Sequence, residues 1–296
     1  MVHATASPYR DRSHFDGQDV LESGADTPGH TDSGWLNRAL SALPKGESAN
    51  PRGLGVGGST PLIIRGDAPV LGWAPSTLRP VDADLPPRLI ELYNSSDPVL
   101  AKALQEAIDT GRITGGQDSA GSFGGPGDPK TMTAMAEGAA RLLMAPDGPR
   151  LAALAFEGWD THAAEQPRLS RQLQGLDAAL GAFETTLGPV WNDTAILVIT
   201  EFGRTAAING TEGTDHGTAT VALLAGGAVK GGRVVSDWPG LKPAQLYQNR
   251  DLAPTCDLRG VAKGLLTELY DVSPDTLANL VFPGSADVKP LTGLIG

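Results

Sequence analysis

The chain has 296 residues, enough for one large domain, and carries a formal net charge of −11. A charge this negative argues against broad binding to nucleic acid or to an anionic membrane surface. The single cysteine excludes a disulfide scaffold, and the sequence has no uncharged apolar run of the roughly 18 residues that a membrane span requires. We therefore expect a globular protein that neither binds nucleic acid nor inserts into a membrane.

The amino-terminal part predicts one strand and two helices. Residues 1–7 have the pattern of a strand, and helices are predicted over 13–22 and about 33–43. No turn, cap or polar tail precedes the strand, so two interpretations stay open: a strand that begins the chain, or a fragment whose upstream strand is missing. These residues do not resemble a signal peptide.

The next part of the chain is rich in glycine and proline. Residues 44–87 predict an irregular excursion with short strands at 61–64 and 68–71, and a pair of helices follows over about 86–110. Residues 115–125 contain so many glycines that we expect a mobile loop there. A phosphate-cradling loop is the less favoured interpretation, because no Lys-Ser or Lys-Thr pair follows the glycines.

The second half alternates strands and helices. A helix over 128–144 precedes a strand at 151–156, a long helix at 165–187 and an apolar strand at 194–200. The long helix has an apolar stripe that consists of Leu169, Leu173, Leu176, Leu180, Phe183 and Leu187. A strand, a helix and a strand with short connections predict a βαβ unit, which requires a parallel strand pair. We therefore expect residues 195–199 to form a central, nearly inaccessible strand with 151–156 as its parallel neighbour.

The carboxy-terminal part continues this alternation. Strands are predicted at 218–225 and 233–235, and a helix over about 256–270 has leucines and a valine on one face. Cys256, beside the start of that helix, is more consistent with a packed small residue than with a nucleophile.

Together these elements predict an α/β sandwich in a single domain, residues 1–296. The core sheet and the loops that carry chemistry lie within about 128–273, and the irregular excursion occupies about 44–127. Ligands of open parallel sheets bind beyond the carboxyl ends of the strands, so the residues that leave each strand are the candidates for a functional site.

Three loops contain such candidates. Asp160 and His162 follow the first strand of the βαβ unit, Glu201 follows the second, and Asp215 and His216 lie in a third loop. Because one crossover links the first two loops, we expect these side chains to converge. Carboxylates and imidazoles without thiolates are typical ligands of zinc, manganese, magnesium or calcium. The structural alternatives are that Asp160 forms a turn and that Asp215 caps its own loop.

Short motifs along the chain resemble those of one bacterial family. They are SHFDGQD (13–19), GWDTH (158–162), TEFGRT (200–205), GTDHG (213–217), VKGG (229–232) with DWPGL (237–241), and RDLAPT (250–255) with DLR (257–259). The family is known as domain of unknown function 1501, and the likeness extends over nearly the whole chain. It is placed in the alkaline phosphatase-like superfamily, together with sulfatases. That placement implies a three-layer α/β sandwich with a mostly parallel central sheet and a divalent metal centre.

The resemblance also implies a nucleophile at the start of a helix that follows an early strand, where this chain has Ser13. The free N–H groups and positive end of a helix dipole stabilise a bound phosphate or sulfate and an ionised hydroxyl. The alternative is that Ser13, with Asp16 three residues on, only caps the helix. His14 and Arg204 join Ser13 as catalytic candidates, and Arg12 either contacts an anionic substrate or pairs with a surface aspartate.

The sequence departs from the superfamily pattern in two ways. The first metal-binding aspartate of the superfamily comes from a strand upstream of the first residue here, and the usual Asp-His pair is replaced by Glu201 and Phe202. We therefore expect the chain as given to be a weak or inactive enzyme. Members of the family usually carry a twin-arginine export signal, which implies a periplasmic or secreted protein. Without such a signal, the chain as given is predicted to be cytoplasmic.

Two functions stay open. In the first, the chain is a hydrolase of small anionic esters, either phosphate or sulfate, in which Ser13 attacks in line. Its divalent metal would be held by Asp160, His162, Glu201, Asp215 and His216. In the second, a non-catalytic protein keeps the hydrolase fold and binds a metal or another ligand.

Overall fold

The computed structural model describes residues 1–43, 53–75, 84–114, 124–125 and 127–296, and these residues form an α/β fold with mixed sheets. The strands are β1 (Val2–Ala6), β2 (Gly53–Val56), β3 (Val70–Trp73), β4 (Leu151–Leu154), β5 (Ile196–Val198), β6 (Thr220–Ala225) and β7 (Cys256–Asp257). The α-helices are α1 (His14–Ser23), α2 (Trp35–Ala42), α3 (Leu85–Ser96), α4 (Pro98–Ile113), α5 (Pro129–Leu143), α6 (Glu165–Leu187), α7 (Leu258–Tyr270) and α8 (Pro274–Thr276).

Local capping chemistry sets the ends of several helices. The carboxylates of Asp97, Asp128 and Asp257 accept hydrogen bonds from the first backbone N–H groups of α4, α5 and α7. Gly24, whose φ of 71° is left-handed, ends α1. The predicted helices at both ends of the chain and in its middle are confirmed. Within the described residues, no helix is long and apolar enough to cross a membrane.

The strands form two sheets. In the four-stranded sheet the order is β5, β6, β1, β7, with β1 and β7 parallel and the other two pairs antiparallel. In the three-stranded sheet the order is β3, β2, β4, and both pairs are parallel. The architecture is therefore α/β with a mixture of parallel and antiparallel pairs.

The predicted parallel pairing of residues 151–156 with 195–199 is wrong. β4 pairs with β2, whereas β5 pairs antiparallel with β6 at the edge of the other sheet, so α6 connects two sheets. The residues of β5 are only half-buried, in contrast to the nearly inaccessible strand that we expected. The run is apolar because Ile196 and Leu197 pack against different core clusters, and such contacts do not specify a neighbouring strand.

Three smaller predictions also need correction or fall outside the described residues. Leu62–Ile64 form a 3-10 helix rather than a strand, and Val235 makes a single bridge to Val2 instead of a strand pair. Most of the glycine-rich segment 115–125 lies outside the described residues. Cys256 is half-buried, and burial raises the pKa of its thiol, which agrees with a packed residue.

The buried face of α6 differs from the predicted leucine stripe. Leu173 is 47% exposed, and the residues that the helix buries are Gln172, Gly175, Leu176, Ala179, Phe183 and Leu187. Small residues in this face allow α5 to come close: a Cβ added to Gly175 would lie 2.8 Å from Met132 Sδ. The two helices and β2 enclose one of the three hydrophobic clusters of the described residues. The leucines of α6 therefore contribute less to the core than their spacing predicts.

Candidate metal centre

Segments from distant parts of the chain meet at one edge of the four-stranded sheet. The start of α1 follows β1, residues 199–205 follow β5, and residues 213–217 precede β6. Because β6 runs antiparallel to β1 and β5, its amino end lies beside their carboxyl ends. Residues 155–164, which join β4 to α6, contact the same edge. The topology thus gathers His14, Asp160, His162, Glu201, Arg204, Asp215 and His216.

Asp160 lies at the centre of three histidines. Asp160 Oδ1 is 2.9 Å from His162 Nε2 and 3.1 Å from His216 Nε2. Asp160 Oδ2 is 3.4 Å from His14 Nε2, and His14 in turn contacts Glu201. The predicted convergence of Asp160, His162, Glu201 and His216 is therefore confirmed.

Two of these histidines are oriented by an oxygen atom on the far side of the ring. His14 Nδ1 donates to Glu201 Oε1 over 2.6 Å, and His216 Nδ1 donates to the carbonyl oxygen of Arg12 over 2.9 Å. Neither an ionised carboxylate nor a carbonyl group can donate, so the proton lies on Nδ1 in both rings. In a neutral ring, this tautomer leaves Nε2 as an acceptor facing Asp160, the arrangement found in metal-binding histidines.

The third histidine repeats this arrangement near the surface. His162 Nδ1 lies 3.2 Å from Asp215 Oδ1, which also accepts a hydrogen bond from Asn209 Nδ2. The hydrogen bonds from Asn209 and then from His162 hold the pKa of Asp215 below its usual value. Asp215 therefore remains an acceptor near neutral pH and keeps the proton of His162 on Nδ1.

The Nε2 atoms of the three histidines form a site suited to a cation. His162 Nε2 and His216 Nε2 are 3.0 Å apart, and two neutral rings in the tautomer described would oppose their lone pairs at that distance. His14 Nε2 is buried and makes no hydrogen bond within the described residues. One ligand atom each from His14, Asp160 and His216 lies within 4.8 Å of the other two. A divalent ion could bind the lone pairs of these nitrogen atoms and of the Asp160 carboxylate.

A permanent positive charge keeps Asp160 ionised. Burial would raise the pKa of Asp160, but the hydrogen bond from Arg204 and the charges of His162, His216 and Arg204 together lower it. Arg204 Nη1 donates to Asp160 Oδ1 over 2.6 Å. The carboxylate is therefore available as a ligand at neutral pH.

The Arg204 guanidinium also donates hydrogen bonds to Thr214. Its Nε donates to Thr214 Oγ1 over 3.0 Å, and its Nη2 donates to the Thr214 carbonyl oxygen. Thr214 Oγ1 donates over 2.6 Å to Glu165 Oε2, at the start of α6. The guanidinium is thereby fixed between the GTDHG loop and Asp160.

Phe202 is a packing residue of the cluster. It is 8% exposed, and its ring centroid lies 4.9 Å from that of His14 and 4.8 Å from that of His216. The aromatic ring thus limits the rotation of two imidazoles.

Ser13 is the N-cap residue of α1, but within the described residues its side chain makes no capping hydrogen bond. Its backbone N–H donates to the hydroxyl of Tyr9 over 3.3 Å, and that hydroxyl donates to Asp16 Oδ2 over 3.2 Å. The capping alternative for Ser13 is therefore not supported, and its hydroxyl is not occupied by the helix backbone.

Two features escaped the sequence reasoning. His14, which we expected to be a catalytic residue, is a candidate metal ligand. Asp251, a fully buried carboxylate, contacts Arg12. The RDLAPT motif contains Asp251, but no spacing rule indicates that this aspartate reaches residue 12, which lies at the other end of the chain.

The comparisons with known proteins identify the family. Residues 3–276 match a family described as "Protein of unknown function (DUF1501)". Neither the search of curated proteins nor the search of solved structures finds a match. The family resemblance inferred from the motifs is confirmed by a match of this length. The chain belongs to the DUF1501 family.

Proposed function

We propose that this protein is a metal-dependent hydrolase of phosphate or sulfate esters. One observation carries the proposal: single ligand atoms from His14, Asp160 and His216 lie within 4.8 Å of one another. Two ligands of a tetrahedral zinc ion, at bond lengths of about 2.0–2.2 Å, lie about 3–4 Å apart. Small side-chain movements would therefore close this set around one ion.

The chemistry of the donors supports the same assignment. Two imidazoles and one carboxylate form a three-residue set of the kind that catalytic zinc sites use, with a further position for water or substrate. His162 is a fourth donor, 2.9 Å from Asp160. We assign Glu201 and Asp215, which we had expected to bind metal, to orienting the histidines, because each contacts an Nδ1 atom.

A divalent ion in this site would polarise the ester oxygen and neutralise charge that develops on the transferred group. The Ser13 oxygen forms a bond to phosphorus or sulfur while the bond to the leaving alkoxide breaks, and the hydroxyl proton passes to that alkoxide. Water then cleaves the serine ester, which releases phosphate or sulfate and restores the Ser13 hydroxyl. The N-terminus of α1 favours an anionic group at this position.

Membership of the alkaline phosphatase-like superfamily is part of the same proposal. The α/β fold and the mixed, partly parallel sheets are compatible with a three-layer sandwich. The periplasmic or secreted location that the family resemblance implies is a further part of the proposal.

A non-catalytic metal-binding protein is the alternative. It is favoured by Arg204, which already occupies Asp160 Oδ1 at 2.6 Å and would compete with an ion for that oxygen. In this case the fold and one ion are kept, but no ester is turned over.

The test is metal binding followed by turnover. Protein stripped with a chelator is titrated calorimetrically with Zn²⁺ and Mn²⁺, and then assayed with an aryl phosphate and an aryl sulfate. We expect binding that His216→Ala and Asp160→Asn abolish and that His30→Ala, a change at an exposed histidine, preserves. Turnover is expected to need Ser13. Binding without turnover would support the alternative, and the absence of binding would refute both.

A further inference from the structure

We propose that Asp251 is a positioning residue that fixes the tautomer and direction of His216 through Arg12. The proposal rests on the proposed function only in treating His216 as a metal ligand. Asp251 touches none of the candidate ligands through its side chain, and it lies in the RDLAPT motif, to which no role has been assigned above.

Asp251 is a buried carboxylate with partners from separate segments. Its side chain is fully buried, and Oδ2 accepts hydrogen bonds from Arg12 Nε at 2.7 Å and from Thr218 Oγ1 at 2.8 Å. Oδ1 lies 3.6 Å from Arg250 Nη1 and makes no hydrogen bond within the described residues. Burying a carboxylate is costly unless such groups surround it.

The first partner controls the ring of His216. The Arg12 carbonyl oxygen accepts the Nδ1 proton of His216. Arg12 has a left-handed φ of 62°, which is strained for a residue with a side chain. Its side chain is held at two points, by Asp251 and by Gln248 Oε1, which accepts from Arg12 Nη2 over 2.7 Å. These contacts keep the carbonyl group directed at His216.

The other two partners control the backbone of His216. Arg250 Nη2 donates to the His216 carbonyl oxygen over 2.8 Å. Thr218 binds Asp251 directly and lies only two residues after His216. The ring and the backbone of His216 are therefore both linked to the same buried carboxylate.

The neutral, nearly isosteric Asp251→Asn variant tests the inference on metal-free protein. In the wild type we expect the ring ¹⁵N signals of His216 to show a proton on Nδ1. In the variant we expect a mixture of tautomers, because the contact that holds Arg12 is no longer an ion pair. Calorimetry with Zn²⁺ alone should show affinity reduced about 10–100-fold, the usual effect of losing support behind a ligand.

A destabilised control separates positioning from general loss of stability. Lys263→Met removes another buried group with two hydrogen bonds, to the carbonyl oxygens of Ser285 and Val288. It should lower the stability but leave the His216 signals and the Zn²⁺ affinity unchanged. If Asp251→Asn does not fold, Arg12→Lys, which keeps the charge but loses the two-point attachment, should give the same tautomer change.

Folded Asp251→Asn or Arg12→Lys protein with an unchanged His216 tautomer and unchanged Zn²⁺ affinity would overturn the inference. A wild-type protein that binds no Zn²⁺ would instead refute the proposed function. The tautomer comparison would still decide the role of Asp251 in that case.

Discussion

The direction of each imidazole in the candidate metal centre is set by oxygen atoms behind it. Glu201 binds His14, the Arg12 carbonyl binds His216, and Asp215 binds His162. Such atoms determine which ring nitrogen carries the proton, and so which one can bind a metal. Each histidine of the candidate centre therefore depends on a second residue that orients its ring.

Replacing Glu201 with glutamine tests one of these pairs. The amide oxygen can still accept the proton of His14 Nδ1, but the 2.6 Å bond is no longer charge-assisted. We expect Zn²⁺ affinity, measured by calorimetry, to fall about 10–100-fold. Glu184→Gln, at an exposed position on α6, is the matched control and should have no effect. Equal affinities in the two variants would contradict the assigned role of Glu201.

Lys263 provides a second single-residue prediction, away from the metal centre. It is 2% exposed, and burial lowers its pKa below the ordinary value of 10.5. Between the lowered pKa and 10.5 the unfolded chain binds more protons than the folded one, so the free energy of unfolding rises with pH there.

In Lys263→Met this contribution to the pH dependence should disappear. The variant should also be destabilised by about 1–3 kcal/mol for each carbonyl group that loses its donor. Urea unfolding across the alkaline range measures both effects. A variant with the same pH dependence as the wild type would show that Lys263 does not titrate differently in the two states.

Among the elements, close contacts between helices and strands depend on glycines whose purpose the sequence does not reveal. Gly138 in α5 faces the ring of Trp73 on β3, and an added Cβ would overlap that ring. Gly181 in α6 has no atom within 4 Å of an added Cβ among the described residues. Both look alike in the sequence, as glycines that weaken a helix.

The two alanine variants should therefore change the free energy of unfolding in opposite directions. Gly181→Ala is expected to stabilise the protein by about 0.5–1 kcal/mol through helix propensity. Gly138→Ala gains the same propensity but overpacks a core contact, which typically costs about 1–3 kcal/mol, so we expect a net loss. Denaturant unfolding of the two variants is the measurement. Stabilisation by both would mean that Trp73 moves aside freely.

Helices were easier to predict from the sequence than strand partners. The caps and 3.6-residue periodicity that define α1, α5, α6 and α7 are local properties, and these helices are confirmed. The partners of β4 and β5 depend on contacts between residues far apart in the chain, which an apolar run does not encode. The same limit applies to Asp251, whose contact with Arg12 joins the two ends of the sequence.

In the whole molecule, the candidate ligands come from positions 14, 160 and 216, which only the fold brings together. The sequence predicts that Asp160 and His216 converge, although the parallel strand pairing used in that argument is wrong. It does not predict that His14 joins them. It could not predict their exact roles, because these depend on which oxygen lies behind which ring.

Metal binding should therefore stabilise the whole fold. An ion that joins three distant segments has no equivalent site in the unfolded chain, so it binds the folded state selectively. Zn²⁺ at about 100 times its Kd should add about 2.7 kcal/mol to the free energy of unfolding. For a chain of this size that corresponds to a rise of roughly 5 °C in Tm, measured by calorimetric or fluorescence melting. A chelator should reverse the rise, His216→Ala should abolish it, and His30→Ala should keep it. An unchanged Tm at saturating Zn²⁺ would mean that folded and unfolded chains bind the ion equally, which is incompatible with a site that the fold assembles.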